Sequence, residues 1–256
     1  MTKPANLARL YYYPVKGMSP HSLGSAELEP GKGLPDDRRF GIAHGSSIDL
    51  PPDGGWAPKS NFVQLANCAR LAAIGAEYEA ESGYLALKRD GRQIARANIT
   101  TPLGRTIIED FLRAFLADET RGAPRLTEAS GDAYTDSRTG RISLINLASV
   151  KDLERVVGGP VDPLRFRGNL YLDDLPAWEE FTWQPETRIA IGSAVLKIGK
   201  RIDRCAATNV NPATAERDAN IPLALRRGFN HIDMGVYAIV EQPGRIAPGD
   251  SLEILT

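Results

Sequence analysis

The pair Arg204-Cys205 combines the residue types in this sequence that are best suited to metal or nucleophilic chemistry. The pair follows a predicted strand, and a turn is expected at Asn211-Pro212. The neighbouring cation favours the deprotonated thiol, and a thiolate is both a nucleophile and a soft metal ligand. The alternative is that Cys205 is a small buried apolar residue, as lone cysteines commonly are. Cys68 lies in a stretch rich in alanine and leucine, so we assign it to the core.

A run of alternating polar and apolar residues at positions 163–173 could bind an anion. If this run is a strand, alternate residues share a face, and the polar face carries Arg165, Arg167, Asn169 and Tyr171. Guanidinium and amide donors on a rigid element suit a phosphate or the edge of a heterocycle. An exposed outer face with incidental arginines explains the pattern equally well.

The composition excludes several classes of protein. The formal net charge is −1, so no general field attracts nucleic acid or an anionic membrane. Two cysteines are too few for a disulfide framework or a four-cysteine metal cluster. Three histidines without metal-ligand spacing argue against a zinc hydrolase. No signal peptide or membrane-spanning segment is visible, so we expect a cytoplasmic protein.

Short strands separated by Gly and Pro turns dominate the elements that must position these residues. They are predicted at 10–15, 71–78, 84–88, 93–99, 189–191, 194–198, 236–240 and 251–255. Helical spacing of apolar residues predicts a helix over 102–116, and a second helix is predicted from Ser149, as its N-cap, to Val157. This pattern predicts a mainly β (α+β) fold of barrel or sandwich type.

A domain boundary is predicted near residue 100, because the first helix separates two strand-rich portions. The predicted domains are therefore 1–100 and 101–256. Residues 46–60, which are rich in proline and glycine, are predicted to form the longest surface loop.

Several motifs, in their order along nearly the whole chain, resemble the MOSC domain family with its N-terminal β-barrel domain. That family includes the mitochondrial amidoxime-reducing component and the C-terminal domain of molybdenum cofactor sulfurases. The resemblance is carried by Tyr13-Pro-Val-Lys16-Gly17, residues 33–40, Trp56-Ala-Pro-Lys59, residues 147–153, Arg165-Phe-Arg167-Gly-Asn169, residues 180–183, residues 204–214 and Met234-Gly-Val-Tyr237. No single motif is decisive, but the ordered set is specific.

The resemblance implies a MOSC-type β-barrel with a smaller N-terminal β-barrel-like domain, and a molybdopterin cofactor whose molybdenum is bound by Cys205. The residues that it places at the cofactor are Lys16, Arg38, Ser149, Arg167, Asn169 and Tyr237. Arg204, Thr208 and Asn209 adjoin the cysteine in the shared motif, and Arg165 is added from the polar face of the proposed strand. Two positions depart from the family, because Asn211 stands where aspartate is frequent and Ala215 where glycine is common.

The resemblance also implies a molybdenum oxidoreductase that reduces small N-hydroxylated compounds. Its electrons would come from a separate ferredoxin-, flavin- or cytochrome-type protein, because the sequence lacks the cysteines for an iron–sulfur domain. An alternative is a carrier of the molybdenum cofactor or of sulfur, in which Cys205 holds a persulfide. A third hypothesis is a non-enzymatic β-barrel that binds another phosphate-bearing ligand. Neither a nucleic acid nor a membrane is an expected partner.

Overall fold

The computed structural model describes residues 4–45, 50–51, 54–116, 119–130, 133–137 and 142–255. The strands are Asn6–Tyr12 (β1), His21–Ser22 (β2), Ala26–Leu28 (β3), Phe40–Ala43 (β4), Gly75–Glu79 (β5), Tyr84–Arg89 (β6), Arg92–Asn98 (β7), Arg125–Glu128 (β8), Ile142–Asn146 (β9), Leu170–Asp173 (β10), Arg188–Ile191 (β11), Ala194–Asp203 (β12), Asp233–Gln242 (β13), Gly244–Ile246 (β14) and Leu252–Leu255 (β15). The α-helices are Pro102–Leu116 (α1), Leu147–Val157 (α2) and Ile221–Phe229 (α3). The mainly β prediction is confirmed.

One curled sheet joins the beginning of the chain to its second half. Its strand order is β15-β11-β12-β13-β9-β10-β1-β2. Only β9 and β10 pair in parallel within it, and Leu10 of β1 lies opposite Leu170 of β10. Leu10, Leu144 and Leu196 belong to one buried core cluster, so β1 is held by apolar packing as well as by hydrogen bonds. This pairing carries the loop that follows β1 to the C-terminal sheet.

A second core cluster fills the N-terminal portion. It contains Phe40 of β4, Leu85 of β6 and Ile108 of α1, and α1 packs against β7 in the sheet β5-β6-β7. Segments before residue 100 therefore pack against segments after it, as β1 does with β10 and β7 with α1. The domain boundary near residue 100 stays a prediction. None of the helices in the described ranges is long and apolar enough to cross a lipid bilayer.

The proposed strand at 163–173 is wrong for its first half. Residues Pro163–Phe166 form a 3-10 turn, Arg167 has φ 51°, and only Leu170–Asp173 is extended. The reason is local, because Asp162 accepts a hydrogen bond from the Leu164 amide and Pro163 occupies the first helical position. The side chains of Arg165 and Arg167 therefore do not share one face of a strand, as the prediction assumed.

Other element boundaries also differ from the prediction, since β1 ends at Tyr12 and β12 and β13 are longer than predicted. Helix α2 begins at Leu147 because Asn146 is its N-cap and accepts from the Ala148 amide, which leaves Ser149 inside the helix. Residues Ala69–Ala73 form a 3-10 turn ahead of β5 rather than the start of a strand. The predicted loop at 46–60 lies partly outside the described residues.

Gly104 lets α1 pack closely against the end of β7. A Cβ atom at this position would lie 1.8 Å from the Asn98 carbonyl oxygen. We expect Gly104→Ala to lower the free energy of unfolding by about 1–3 kcal/mol, despite the higher helix propensity of alanine. Urea unfolding measures the change, with Gly159→Ala as control, since a Cβ there meets no atom within 4 Å. A Gly104→Ala protein as stable as the control would contradict the close packing.

Candidate functional site

One cavity of about 200 Å³ collects most of the residues that the sequence analysis selected. Nine of the eleven line it, namely Lys16, Arg38, Arg165, Arg167, Asn169, Arg204, Cys205, Thr208 and Tyr237. They come from the loops after β1 and before β4, from the turn before β10, from the segment after β12 and from β13. The fold thus gathers residues that are far apart in the sequence. The other two, Ser149 and Asn209, do not line it.

Three cations, Lys16, Arg38 and Arg167, form what we call the cationic cluster. The guanidinium carbons of Arg38 and Arg167 lie 4.4 and 4.3 Å from the ring centre of Tyr13, which is fully buried. Arg38 Nη2 donates to the Arg167 carbonyl oxygen at 2.8 Å, and Arg167 Nη1 donates to the Met18 carbonyl oxygen at 2.7 Å. Two like charges are therefore held against one aromatic ring, an arrangement that an anion would stabilise.

The backbone of the cluster is strained. Arg38 and Arg167 both have φ 51°, a region that favours glycine and costs other residues roughly 1–2 kcal/mol each. Burial lowers the pKa of Arg167, and the charge of Arg38 lowers it further. The carboxylate of Asp37 pairs with Arg38 and helps to raise the pKa of that guanidinium, so the strain at both residues and the lowered pKa of Arg167 are the features that an anionic ligand would offset.

Lys16 is neutralised in part by a neighbouring carboxylate. Its Nζ donates to the Tyr134 carbonyl oxygen at 2.8 Å and to the side chain of Asp136. Burial raises the pKa of Asp136, but the charge and hydrogen bond of Lys16, together with the charges of Lys59 and Arg38, outweigh that effect and hold this pKa below its usual value. Asp136 therefore stays ionised inside a cavity whose other charged side chains are mostly cationic.

Cys205 is the exposed thiol of this cavity. It follows the end of β12 and precedes the 3-10 turn Ala206–Asn209, whose Thr208 amide donates to the Cys205 carbonyl oxygen at 3.1 Å. The alternative that Cys205 is a buried apolar residue is wrong. Cys68 is buried, as predicted, and burial raises the pKa of its thiol to about 12.

Arg204 is a buried anchor for the backbone. Its Nε and Nη2 atoms donate to the Met234 carbonyl oxygen, and Nη1 donates to the Phe166 carbonyl oxygen at 2.8 Å. These bonds tie the residue before Cys205 to β13 and to the 3-10 turn at 163–166. Arg204 therefore positions the cysteine, and its donors are used within the protein.

Tyr237 of β13 and Asn169, which directly precedes β10, both line the cavity and are linked through Ser143 of β9, the strand between β13 and β10. Tyr237 is paired with Ser143 in the register of β13 and β9, and Ser143 Oγ donates to Asn169 Oδ1 at 2.8 Å. Burial raises the pKa of Tyr237, so its phenol keeps its proton at neutral pH and can donate a hydrogen bond. The Asn169 side chain is occupied by Ser143 and by the Tyr11 carbonyl oxygen, which makes it chiefly a brace.

The structure does not support a cofactor role for Ser149 or for the side chain of Asn209. Ser149 is fully buried in α2, where its Oγ donates to Glu180 at 2.9 Å and accepts from the Trp178 amide at 2.8 Å. Asn209 Oδ1 accepts from the Ile221 amide at 2.9 Å at the start of α3. Both side chains are consumed by local structure, which a motif read along the sequence does not reveal.

Ser149→Ala is expected to destabilise the fold and to leave the cavity intact. The buried Glu180 carboxylate would lose one donor, which costs about 1–3 kcal/mol. Urea unfolding should show this loss, and phosphate binding, followed by calorimetry, should be unchanged. If phosphate affinity fell while the free energy of unfolding was unchanged, Ser149 would contribute to ligand binding after all.

Four further charged residues line the cavity and were not selected from the sequence. They are Lys59, Asp136, Lys200 and Asp203. Each lies in a polar stretch that resembles any solvated surface, and no spacing rule links them. Asp203 is near Cys205 because it lies two residues before it, whereas the approach of Lys59, Asp136 and Lys200 depends on the tertiary fold.

The cavity combines an anion site with one accessible thiol. Among the described residues, no three His, Cys, Asp or Glu side chains come together to hold a metal ion. A metal at this site would therefore take Cys205 as its protein ligand and its remaining ligands from an anionic organic molecule. The Nε atom of Arg165, which is buried and lacks a partner in the described part of the chain, leaves one donor unsatisfied beside the cavity.

Two family models match adjacent parts of the chain. Residues 4–120 match the MOSC N-terminal beta barrel domain, and residues 132–253 match the MOSC domain. The chain is also similar to mitochondrial amidoxime reducing component 2 of Rattus norvegicus, with 30% identity over 130 residues. That match spans 46% of this chain and only 37% of the relative's length.

Solved structures show weaker similarity. The YUAD protein from Bacillus subtilis has 14% identity and a TM-score of 0.47 over 98% of this chain and 96% of its own. YiiM from Geobacillus stearothermophilus has 20% identity and a TM-score of 0.37 over 46% of this chain and 55% of its own. Similarity at this level carries no functional information.

Proposed function

The chain belongs to the MOSC domain family, with an N-terminal MOSC beta barrel domain ahead of its MOSC domain, and we propose that it is a molybdenum-cofactor oxidoreductase that reduces N-hydroxylated compounds. MOSC domains are associated with binding of the molybdenum cofactor. The observation that carries the proposal is that the exposed thiol of Cys205 and the cationic cluster line the same cavity. The similarity to an amidoxime reducing component supports the reaction class.

The side chains of the cavity fit a molybdopterin-type cofactor. Such a cofactor is an anionic organic molecule that brings its own sulfur ligands to the metal, so one protein thiolate completes the set. The strained pair Arg38 and Arg167, with Lys16 beside them, suits its phosphate. Cys205 therefore suits the metal end of the cofactor, and the cationic cluster suits its phosphate end.

Each residue has a separate task in this proposal. The cofactor, when bound, supplies the two-electron redox chemistry. Cys205 holds the metal, and Arg204 fixes Cys205 through its bonds to the Met234 and Phe166 carbonyl oxygens. Tyr237 Oη keeps its proton and donates a hydrogen bond to the ligand in the cavity.

The reaction needs a source of electrons outside this chain. Reduction of an N-hydroxylated compound consumes two electrons and two protons, breaks the N–O bond and releases the amine and water. The two cysteines of the chain cannot build an iron–sulfur cluster. A separate ferredoxin-, flavin- or cytochrome-type protein is therefore the proposed donor.

A turnover assay tests the proposal. Protein from a host that makes the cofactor is supplied with a reduced dye and an aryl amidoxime, and the amidine is measured together with molybdenum content. We expect about one molybdenum per chain and amidine formation that depends on the dye. Protein that contains no molybdenum overturns the proposal.

The second candidate is a carrier of the cofactor or of sulfur. The exposure of Cys205 favours it, because an accessible thiol can also hold a persulfide. Mass spectrometry of the intact protein distinguishes the two functions. An additional sulfur on Cys205, without amidine formation, supports the carrier and excludes the reductase.

A further inference from the structure

The loop that carries Cys205 is held by a second buried arginine. Arg165, whose side chain is 4% exposed, donates from Nη2 to both carboxylate oxygens of Asp218 at 2.6 and 2.7 Å. Its Nη1 donates to the Asn209 carbonyl oxygen at 3.2 Å and to the Thr208 carbonyl oxygen at 3.5 Å. The terminal nitrogens of Arg165 are thus directed at the loop, which corrects its assignment as a residue of a ligand-binding strand face.

Asn211 completes this arrangement. Its Nδ2 donates to Asp218 Oδ2 at 2.7 Å, so Asp218 receives hydrogen bonds from Arg165 and Asn211 together. The backbone of Asn211 closes the loop as well, because its amide donates to the Glu216 carbonyl oxygen at 2.7 Å and its carbonyl accepts from the Ala215 amide at 2.8 Å. Ala215 has φ 59°, a left-handed conformation that closes the turn of this loop.

We propose that Arg165, Asp218 and Asn211 form a clamp that fixes the loop from Cys205 to Asp218, and that they are positioning residues for the cysteine. The clamp reaches Cys205 through Thr208, whose amide and Oγ1 both donate to the Cys205 carbonyl oxygen, at 3.1 and 2.8 Å. Arg204 holds the other side of the cysteine. The effect of the clamp on metal retention rests on the proposed function, whereas its effect on the loop does not.

The chemistry of the clamp explains why an amide at position 211 suits this chain. An aspartate at position 211 would place a second carboxylate within hydrogen-bond distance of Asp218, where the amide of Asn211 now donates. Two carboxylates at that distance repel each other, and Arg165 would have to neutralise both. Asparagine at 211 is therefore matched to aspartate at 218 in this chain.

The proposal predicts that a carboxylate at position 211 loosens the loop that carries Cys205. Asn211→Asp should speed hydrogen exchange of the amides at Thr208, Val210 and Ala215 by about tenfold, because a charge-assisted hydrogen bond at a partly exposed site is lost. The double variant Asn211→Asp with Asp218→Asn again pairs a carboxylate with an amide, but it removes the carboxylate that Arg165 binds, so it should exchange at least as fast as Asn211→Asp. Exchange is followed by mass spectrometry on the full-length protein without cofactor.

Matched controls separate the clamp from a general loss of stability. Asn220→Asp adds the same charge nearby, at the N-cap of α3, where aspartate serves equally well, and should leave the loop unchanged. Amides of β12 and β13 report global stability and should keep their protection in every variant. If they do not in Asn211→Asp, Asn211→Ala applies the same test by removing the amide donor to Asp218 without adding a charge. Unchanged loop exchange in Asn211→Asp, or slow exchange in the double variant, overturns the clamp.

Molybdenum content then tests the link to Cys205. After expression in a cofactor-competent host, Asn211→Asp should retain several-fold less molybdenum than the native protein, and the double variant should retain no more than Asn211→Asp does. Equal molybdenum in all variants overturns the positioning role and leaves the proposed function standing. No molybdenum in the native protein, with the exchange pattern as expected, overturns the proposed function and leaves the clamp.

Discussion

Cys205→Ala is expected to lose its molybdenum and at least about 99% of its turnover, because loss of groups that merely orient a metal ligand already costs roughly 10–100-fold. The thiol is exposed in the cavity and is held from both sides by Arg204 and by the turn that follows it. Removing the sulfur leaves the cationic cluster intact. The variant should therefore still bind inorganic phosphate, although it no longer retains metal. Elemental analysis and the dye-linked amidoxime assay measure the two losses.

Cys68→Ala is the matched control for this prediction. Cys68 is fully buried in the second core cluster, so its replacement should reduce stability and leave molybdenum content unchanged. Cys205→Ser keeps the shape of the side chain and replaces the soft ligand with a hard one, so it should behave like alanine at this position. Full activity in Cys205→Ala would contradict the assignment of Cys205 as the metal ligand.

Arg167→Gln is expected to weaken phosphate binding by roughly 10–100-fold with little change in the melting temperature, since a charged hydrogen bond contributes about 1.5–3 kcal/mol. Its guanidinium contacts Tyr13 and donates to the Met18 carbonyl oxygen, so stability loses that bond. The loss is offset because repulsion with Arg38 also disappears. Isothermal titration with phosphate, and molybdenum content after expression, test the ligand side. Thermal unfolding without ligand tests the expected small change in melting temperature.

Arg201→Gln provides a closely matched comparison. Arg201 also donates to a backbone carbonyl, that of Phe181, and its guanidinium carbon lies 4.4 Å from the Phe181 ring centre. Arg201 does not line the cavity. Phosphate affinity should therefore be unchanged in this variant. Equal losses in the two variants would mean that the effect of Arg167 is general electrostatics and that the cavity has no specific anion site.

Local features of the sequence were enough for the fold class and for much of the site. Short apolar runs with Gly and Pro turns predicted most strands, and helical spacing predicted α1 with its observed end at Leu116. Arg204 and Cys205 were selected because a cation next to a thiol is a property of adjacent residues. The alternation that pointed to Arg165 and Arg167 assumes a strand where the structure has a 3-10 turn, so both arginines line the cavity by a different geometry from the one predicted.

Roles that depend on neighbours distant in the chain were not predicted. Ser149 was assigned to the cofactor, yet its hydroxyl meets Glu180 on another segment. Asp136 was overlooked, although it is the carboxylate that pairs with Lys16. The sequence does not state which donor meets which acceptor across such separations, because the pairing is set by the packing of both cores.

The sequence by itself determined a mainly β chain with an arginine-flanked cysteine and a set of motifs in MOSC order. Those properties follow from residue type and short spacing, which act through local backbone preference and direct chemical neighbours. The tertiary structure alone decided that the thiol is open to solvent, that Arg38 and Arg167 share one tyrosine, and that Arg165 holds the cysteine loop. Those properties arise only when the pairing of β1 with β10 and of β12 with β13 brings distant segments within hydrogen-bond distance.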